Sequence, residues 1–332
     1  MTVPTAVSPL RLDGSRVPEE AVEALFTGCG AAEPDAVVID VEGPGVIDCL
    51  QGLVSSDLDG RGERGLLYGA VLTRYGMILS DLWVARRAGG ARLVVPGAGA
   101  GPLGEVLRKS LPPRLARAAE RADVTVLRLV GPRAAAVIQA IGLDLPEPGT
   151  SASLPDDDGT VDIAHAPPGA PFTIQLVAPT PMPIRERLRV SGVVEGGRDL
   201  LELARVLAGW PALGHEIDSK TLPQEVRYDD IGGVSYTKGC FVGQETVARV
   251  HFRGHPNRGL RGLLFEREPR ADALVTVERR DAGRVTAQAW LGRRRRWIGL
   301  AMLRREVEVG AAVLASSVTA TVVPLPFAPE MV

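Results

Sequence analysis

VVIDVEGPGVIDCLQGL, residues 37–53, is matched further along by TVLRLVGPRAAAVIQAI, residues 125–141. Each is a β-branched run, a Gly-Pro step, and a helical pattern ending in an apolar residue, Gln, a small residue and another apolar residue. Gly43, Pro44 and Gln51 correspond to Gly131, Pro132 and Gln139 at constant offset. Proline in or beside the first helical turn is sterically favourable, so each copy reads as strand, turn, helix. A strand–helix unit used twice predicts two similar α+β modules. Between the copies, YGAVLT (68–73) and MILSDLWV (77–84) are joined by Arg74-Tyr75-Gly76, which predicts a hairpin. Residues 198–208, RDLLELARVLA, have the spacing of an amphipathic helix stopped by Gly209 and Pro211. Beyond about residue 256 the pattern changes to short apolar runs separated by turn signals: RGLLFE, ALVTVERR, AGRVTAQAW, RWIGLAML and TATVVPLPF. Such regular spacing predicts a small β-barrel or sandwich. The expected boundaries are 1–120 for the first module, 121–255 for the second and 256–332 for the β domain.

Composition agrees with several packed units. The chain has 332 residues, 45% of them hydrophobic and 4% aromatic, so small aliphatic side chains must fill the cores. A net charge of −2 argues against binding driven by electrostatic attraction to nucleic acid or an anionic membrane. Cys29, Cys49 and Cys240 are odd in number and widely spaced, which disfavours a disulfide framework or a CxxC metal site. His251 and His255 have i,i+4 spacing, but Gly254 and Pro256 interrupt a helix there. No secretory pattern opens the chain and no apolar run reaches the roughly 20 residues needed to span a bilayer. The expectation is a soluble protein of the cytosol, with no bound metal and no membrane partner. Cys49, on the first repeat helix, reads as a packed core thiol.

The chemistry concentrates in KGCFVGQE, residues 238–245. Cys240 lies between Gly239 and Gly243, two residues after Lys238, and Gln244-Glu245 opens a helical TVARV. Glycines allow positive φ and expose backbone N–H groups to a ligand. A neighbouring cation favours a thiolate. Gln244 can donate and accept, and Glu245 can hold an N–H-rich group, which suits a pterin-like heterocycle with a carboxylate tail. The stretch matches neither phosphate-binding glycine pattern, and spacing names no histidine base for a nucleophile. It reads as a ligand-binding loop with an activatable thiol. Asp81 is a carboxylate between Leu79 and Trp83 on one strand face; it is either solvent-exposed or a ligand-anchoring or acid–base group with a perturbed pKa. The acidic run Asp156-Asp157-Asp158 reads as a solvated loop tip, and Arg293–Arg296 as a solvated hairpin tip.

The stretch LPQEVRYDDIGGVSYTKGCFVGQETVARVHFRG (222–254) resembles the signature of the YgfZ-type folate-binding proteins, relatives of the glycine-cleavage T-protein, an aminomethyltransferase. The resemblance includes Pro223 and Glu225 upstream and Arg249 and Arg253 downstream. DCLQGLVSSDLDG (48–60) is similar to the family's first helix and following turn, with Ser55, Ser56 and Asp57 in that turn. YGAVLTRYGMILSDLWV is similar to the hairpin carrying a folate-site aspartate, here Asp81. The resemblance implies two α+β modules forming a folate-binding region, a C-terminal β-barrel, and tetrahydrofolate or a one-carbon derivative as cofactor. It implies site roles for Asp81, Ser55, Asp57, Glu225, Lys238, Gly239, Gln244, Glu245 and Arg249, with Cys240 as the functional thiol. It further implies support of iron–sulfur cluster assembly or repair, with effects on tRNA modification, and iron–sulfur assembly factors or client proteins as partners. Two points bear on the rival reading, a folate-dependent aminomethyltransferase or demethylase: Leu207 stands where the transferases carry glutamate, and the transferases lack the Lys-Gly-Cys signature. Phe241 replaces the usual tyrosine after the cysteine, so any role for a phenol there is lost. A third reading is an RNA-contacting modification factor using the arginine hairpin, although the net charge argues against nucleic acid as a partner.

Overall fold

The computed structural model describes residues 9–156, 159–179, 181–270 and 274–332. Asp157 and Asp158 of the acidic run, and Ala273 of the second barrel run, lie outside them.

The α+β class with a terminal barrel is borne out. The first sheet has the order Leu66–Leu72, Ile78–Arg87, Gly90–Pro96, Ala36–Glu42, Arg117–Glu120, with every neighbour antiparallel. The second has the order Thr150–Asp156, Gly159–His165, Ile174–Ala178, Thr125–Val130, Gly30–Ala32, with Val194–Glu195 added at the edge. The repeat strands, Ala36–Glu42 and Thr125–Val130, occupy the same place in the two sheets, and each is followed by its repeat helix, Val46–Gln51 or Ala134–Ala140. The internal repeat therefore reaches beyond the 17 matched positions quoted above to a whole module.

The repeated glycines explain why the motif recurs. Gly43 and Gly131 have φ of 139° and 101°, and a Cβ at either would strike a backbone carbonyl, that of Leu115 or of Ala24. In both turns the N–H two residues on is bonded across the gap, Gly45 to Leu115 O at 2.9 Å and Arg133 to Gly28 O at 3.0 Å. Gly131→Ala combines a backbone clash with an unfavourable φ, so it is expected to destabilise by about 2–4 kcal/mol. Gly142→Ala is the control: φ is 80°, but nothing lies within 4 Å of the added methyl, so its cost should be about 1 kcal/mol. Denaturant midpoints of the two variants check this; equal midpoints would show that close packing at Gly131 is not the constraint.

The third unit is a closed six-stranded barrel: Arg258–Phe265, Arg296–Arg304, Arg280–Leu291, Leu274–Val277, Ala312–Ala315 and Val318–Val323, the last returning to the first. Closure pairs every strand and leaves no open edge. The hairpin tip at Arg293–Arg296 is docked onto the helix Glu19–Thr27. The Arg293 N–H donates to Glu19 at 2.7 Å, Arg294 donates to Glu23 at 2.6 Å, and the Arg294 guanidinium lies 3.6 Å above the Phe26 ring. Arg296 donates to the Met331 carbonyl at 3.0 Å.

Chain order and sheet membership part company at the N-terminus. Gly30–Ala32 belongs to the second sheet, and Leu10–Leu12 pairs in parallel with the barrel strand Arg280–Leu291. Boundaries drawn along the chain at 120 and 255 thus leave residues 9–32 contributing to the other two units. Among the described residues no helix is long and apolar enough to cross a membrane.

Candidate functional site: a buried carboxylate cavity and a separate thiol loop

Asp81 sits on the strand Ile78–Arg87 with Trp83 on the same face, and Tyr68 and Ala70 beside them on the neighbouring strand. Leu82 and Val84, on the opposite face, enter a different core. The Asp81 face packs on the second module and on the helix Arg198–Ala208, whose C-cap Gly209 (φ 61°) turns the chain into Trp210. Tyr68 therefore meets Trp210 edge-on at 4.8 Å, and Trp83 lies parallel to Trp210 at 5.7 Å and edge-on to Phe172 at 4.9 Å. Such pairs contribute about 0.5–1.5 kcal/mol each beyond area burial, so a chain poor in aromatics has concentrated them here. Asp81 is 5% exposed, which excludes the solvent-exposed reading.

Tyr68, Asp81, Trp83 and Trp210 wall a cavity of about 350 Å³, within the range for small-molecule sites. Its inner polar groups are Asp81, Arg128, Glu202 and Arg205. Tyr68 donates to Asp81 Oδ2 at 2.9 Å, and the Tyr228 hydroxyl lies 3.1 Å from that of Tyr68. Burial pushes the Asp81 pKa up to about 6, against the Tyr68 hydrogen bond and the fields of Arg128 and Arg205. Burial pulls Arg128 down to about 10; its guanidinium lies 4.4 Å above the Phe172 ring and donates to Gln175 at 3.0 Å. Arg205 donates to Glu202 and Glu216 at 2.8 Å each and to the Trp210 carbonyl at 2.7 Å. Two buried atoms of the cavity walls have no partner, Asp81 Oδ1 and Arg205 Nη2. Buried polar atoms are rarely left so. One is an acceptor and the other a donor, so the cavity is prepared for a ligand presenting both. A larger, open cleft of about 1070 Å³ lies between the two sheets. Its buried charges satisfy one another: Arg92 holds Asp40 through two bonds of 2.7 Å and also binds Asp162.

The octet forms a second centre. Gly243, with φ of 83°, caps the helix Gln244–Arg253, and a Cβ there would sit 2.5 Å from the Thr73 carbonyl oxygen. The Arg74-Tyr75-Gly76 hairpin turn thus rests on the start of this helix. Phe241 is buried and its N–H donates to Gln244 Oε1 at 3.3 Å; the Val242 N–H donates to Gly52 O at 3.1 Å. Lys238 turns inward. Its Nζ donates to the carbonyls of Val54 at 2.6 Å and Ser56 at 2.9 Å, and to Gln51 Oε1 at 3.4 Å. Burial lowers its pKa to about 8, against the fields of Asp57 and Asp59. The flanking cation expected to favour the Cys240 thiolate is therefore committed to backbone oxygens. Cys240 itself is exposed, as are Glu245 and Arg249.

The other expected site residues hold chain segments to one another. Ser55 accepts from Ala70 N at 2.9 Å and donates to Gly233 O at 2.5 Å; Asp57 accepts from Gln51 at 2.7 Å. Glu225 accepts two bonds of 3.0 Å from Arg258, tying the signature region to the barrel. Of the ten residues expected at the site, Asp81 lines the smaller cavity. Ser55, Asp57, Glu225, Lys238, Gly239, Cys240, Gln244, Glu245 and Arg249 do not. Lys238 and Gln244 hold the loop, through the Val54 and Ser56 carbonyls and the Phe241 N–H, and Gly239 is exposed. Sequence reading missed Tyr68, Arg128, Trp210 and Glu202. Their signal was weak: polar or aromatic side chains on apolar strands and on a helix face. Cys29 is buried, with its thiol pushed up to about 12 by burial, and Cys49 packs partly against the first-module core. Among the described residues no group of His, Cys, Asp and Glu is placed to hold a metal ion.

No protein-family model matches the chain. The structure superposes on the glycine cleavage system aminomethyltransferase T from Bartonella henselae with a TM-score of 0.81 and 21% identity, over 93% of this chain and 89% of that one. The fold is thus that of the aminomethyltransferases. In sequence the chain is 26% identical to the tRNA-modifying protein YgfZ of Klebsiella pneumoniae over 226 residues, 68% of each chain. It is 27% identical to the protein of that name from Colwellia psychrerythraea over 212 residues, 64% of each. The chain is thus similar in sequence to YgfZ-type proteins and in fold to an aminomethyltransferase.

Proposed function

We propose that the chain binds tetrahydrofolate, or a one-carbon derivative, in the Asp81 cavity and presents Cys240 in support of iron–sulfur cluster assembly or repair, with effects on tRNA modification. The observation that carries the folate reading is the pair of partnerless buried atoms in an aromatic cavity, Asp81 Oδ1 and Arg205 Nη2. A reduced pterin offers N–H donors and a carbonyl acceptor on one edge and an apolar face for Trp83, Tyr68 and Trp210. Asp81 would take an N–H, and Arg205 would donate to the carbonyl oxygen. Bound folate would supply a carrier for one-carbon units. The thiol role rests on the octet's resemblance and on an exposed Cys240 in a loop anchored by Lys238 and Phe241.

Two observations weigh against the rival readings. Leu207, in place of the transferases' glutamate, packs against the main core and does not line the cavity. The arginine hairpin, the feature behind an RNA-contacting role, docks on Glu19, Glu23 and Phe26 of its own chain. The test is calorimetric titration with tetrahydrofolate under reducing conditions. Saturable one-to-one binding is expected, and absence of heat and of thermal stabilisation would end the folate reading.

A further inference from the structure

Tyr228 is fully buried in the main core and does not line the Asp81 cavity. Its ring lies against that of Tyr68, with 5.4 Å between centroids, and its hydroxyl is 3.1 Å from the Tyr68 hydroxyl. Tyr68 has one hydroxyl proton, and it is donated to Asp81 Oδ2 at 2.9 Å. The Tyr68 oxygen is therefore left to accept from Tyr228. The hydrogens run one way, from Tyr228 to Tyr68 to Asp81, and the chain ends on the carboxylate. Among the described residues the Tyr228 hydroxyl has no other hydrogen-bond partner. Phenylalanine would fill the same space without the cost of a desolvated hydroxyl, so what the hydroxyl does, it does to Tyr68. The signature stretch sets the position of this ring. The Tyr228 N–H donates to Pro223 O at 3.1 Å, and its carbonyl accepts from Gly233 N at 2.8 Å. A Cβ at Gly233 would come within 2.5 Å of the ring, so the turn closes directly on it.

We propose that Tyr228 is a positioning residue for Asp81: its hydroxyl holds Tyr68 as the donor to Oδ2, which keeps the carboxylate charged and leaves Oδ1 for the cavity's ligand. As a role in ligand binding, this deepens the folate reading and rests on it. Each hydrogen bond in such a chain polarises the next, so a donor two steps away strengthens the last bond. A neutral carboxyl accepts more weakly than a carboxylate, so the chain favours the ionised form. The charged and titratable groups around Asp81 are Arg128 on the strand Thr125–Val130 and Glu202 and Arg205 on the helix Arg198–Ala208. Beyond them lie His215 on the cavity wall and Glu216, which Arg205 holds. Replacing Tyr228 by phenylalanine alters none of these charges.

The experiment is an NMR titration of the Asp81 carboxyl, with no ligand present, in the native chain, Tyr228→Phe, Tyr68→Phe and the double variant. The native midpoint is expected near pH 6. Losing a hydrogen bond to the charged form moves the midpoint up, by about 1–2 units in Tyr68→Phe. The indirect loss in Tyr228→Phe should move it up by about 0.2–0.6 unit. In the Tyr68→Phe background, Tyr228→Phe should add nothing, because its effect passes through Tyr68. The acid limb of tetrahydrofolate binding should move with the carboxyl in each variant. An unmoved midpoint in Tyr228→Phe, or the same shift in both backgrounds, would overturn the inference, since a merely structural tyrosine acts without Tyr68. An acid limb that stays in place while the carboxyl moves would remove the role in binding. Failure of tetrahydrofolate to bind the native chain would end the folate reading and that role with it, while the ligand-free titration would still decide whether Tyr228 positions Asp81.

Discussion

Asp81→Asn is expected to bind tetrahydrofolate at least about tenfold more weakly than the native chain, and to melt at a higher temperature at pH 7.5. The first effect follows from losing a charged acceptor in a dry cavity, where such a hydrogen bond is worth about 1.5–3 kcal/mol, or roughly 10- to 100-fold in affinity. The second follows from the cost of the same charge. Burial raises the Asp81 pKa from 3.8 to about 6. The folded chain therefore holds this proton more tightly than the unfolded chain does. The stability linked to it is full below about pH 4 and is lost as pH rises to 6, by about 3 kcal/mol at most. Asparagine keeps the acceptor for Tyr68 without the charge, and should recover about 1–2 kcal/mol of this at neutral pH. The native affinity should also fall as pH drops through about 6, while that of the variant stays level. Calorimetry and thermal scans across pH 5–8 check both arms. A variant that binds normally removes Asp81 as the anchor, and one that melts lower removes the argument that its charge is under-compensated.

Cys240→Ala should have the opposite profile. The side chain is exposed, and it lies outside the residues lining the Asp81 cavity. Exposed substitutions away from such features change stability by about 0.5 kcal/mol or less, and folate affinity should stay within about twofold. Support of iron–sulfur enzymes in a deletion strain should nevertheless be lost. Full complementation by the variant would refute the thiol role and reduce the octet to a structural loop. Loss of folate binding in the same variant would show that the two centres are one.

The fold was largely legible because its determinants are local. Gly43-Pro44 and Gly131-Pro132 announce turns that only glycine can make, and alternating apolar runs announce the barrel strands. The octet was recognisable for the same reason: its glycines, lysine and cysteine are adjacent in sequence. The cavity was mostly hidden because its members converge from both modules and the loop after the long helix. Asp81 was visible as a carboxylate in an apolar strand, but Arg205 acquires its meaning from Glu202, Glu216 and the Trp210 carbonyl, which only folding assembles. Ser55, Asp57, Gln51 and Lys238 are joined in space by hydrogen bonds that hold the loop. Residues that build a site's frame and residues that meet its ligand carry the same chemistry in a one-dimensional reading.

The placement of residues 10–12 and 30–32 bears on how this chain comes off the ribosome. The segment Gly30–Ala32, made before any of the first module, needs Thr125–Val130 as its partner, and Leu10–Leu12 needs Arg280–Leu291. Some of the earliest strands translated must therefore wait for some of the last. Long sequence separations of this kind slow folding and prolong exposure of unpaired strands. A nascent chain could fold its first sheet early, but the second sheet and the barrel's outer strand would each await a distant partner. Cutting the chain at a linear boundary would strand those segments. Residues 9–32 thus act as a tie across units that a gene-order view would treat as independent cassettes.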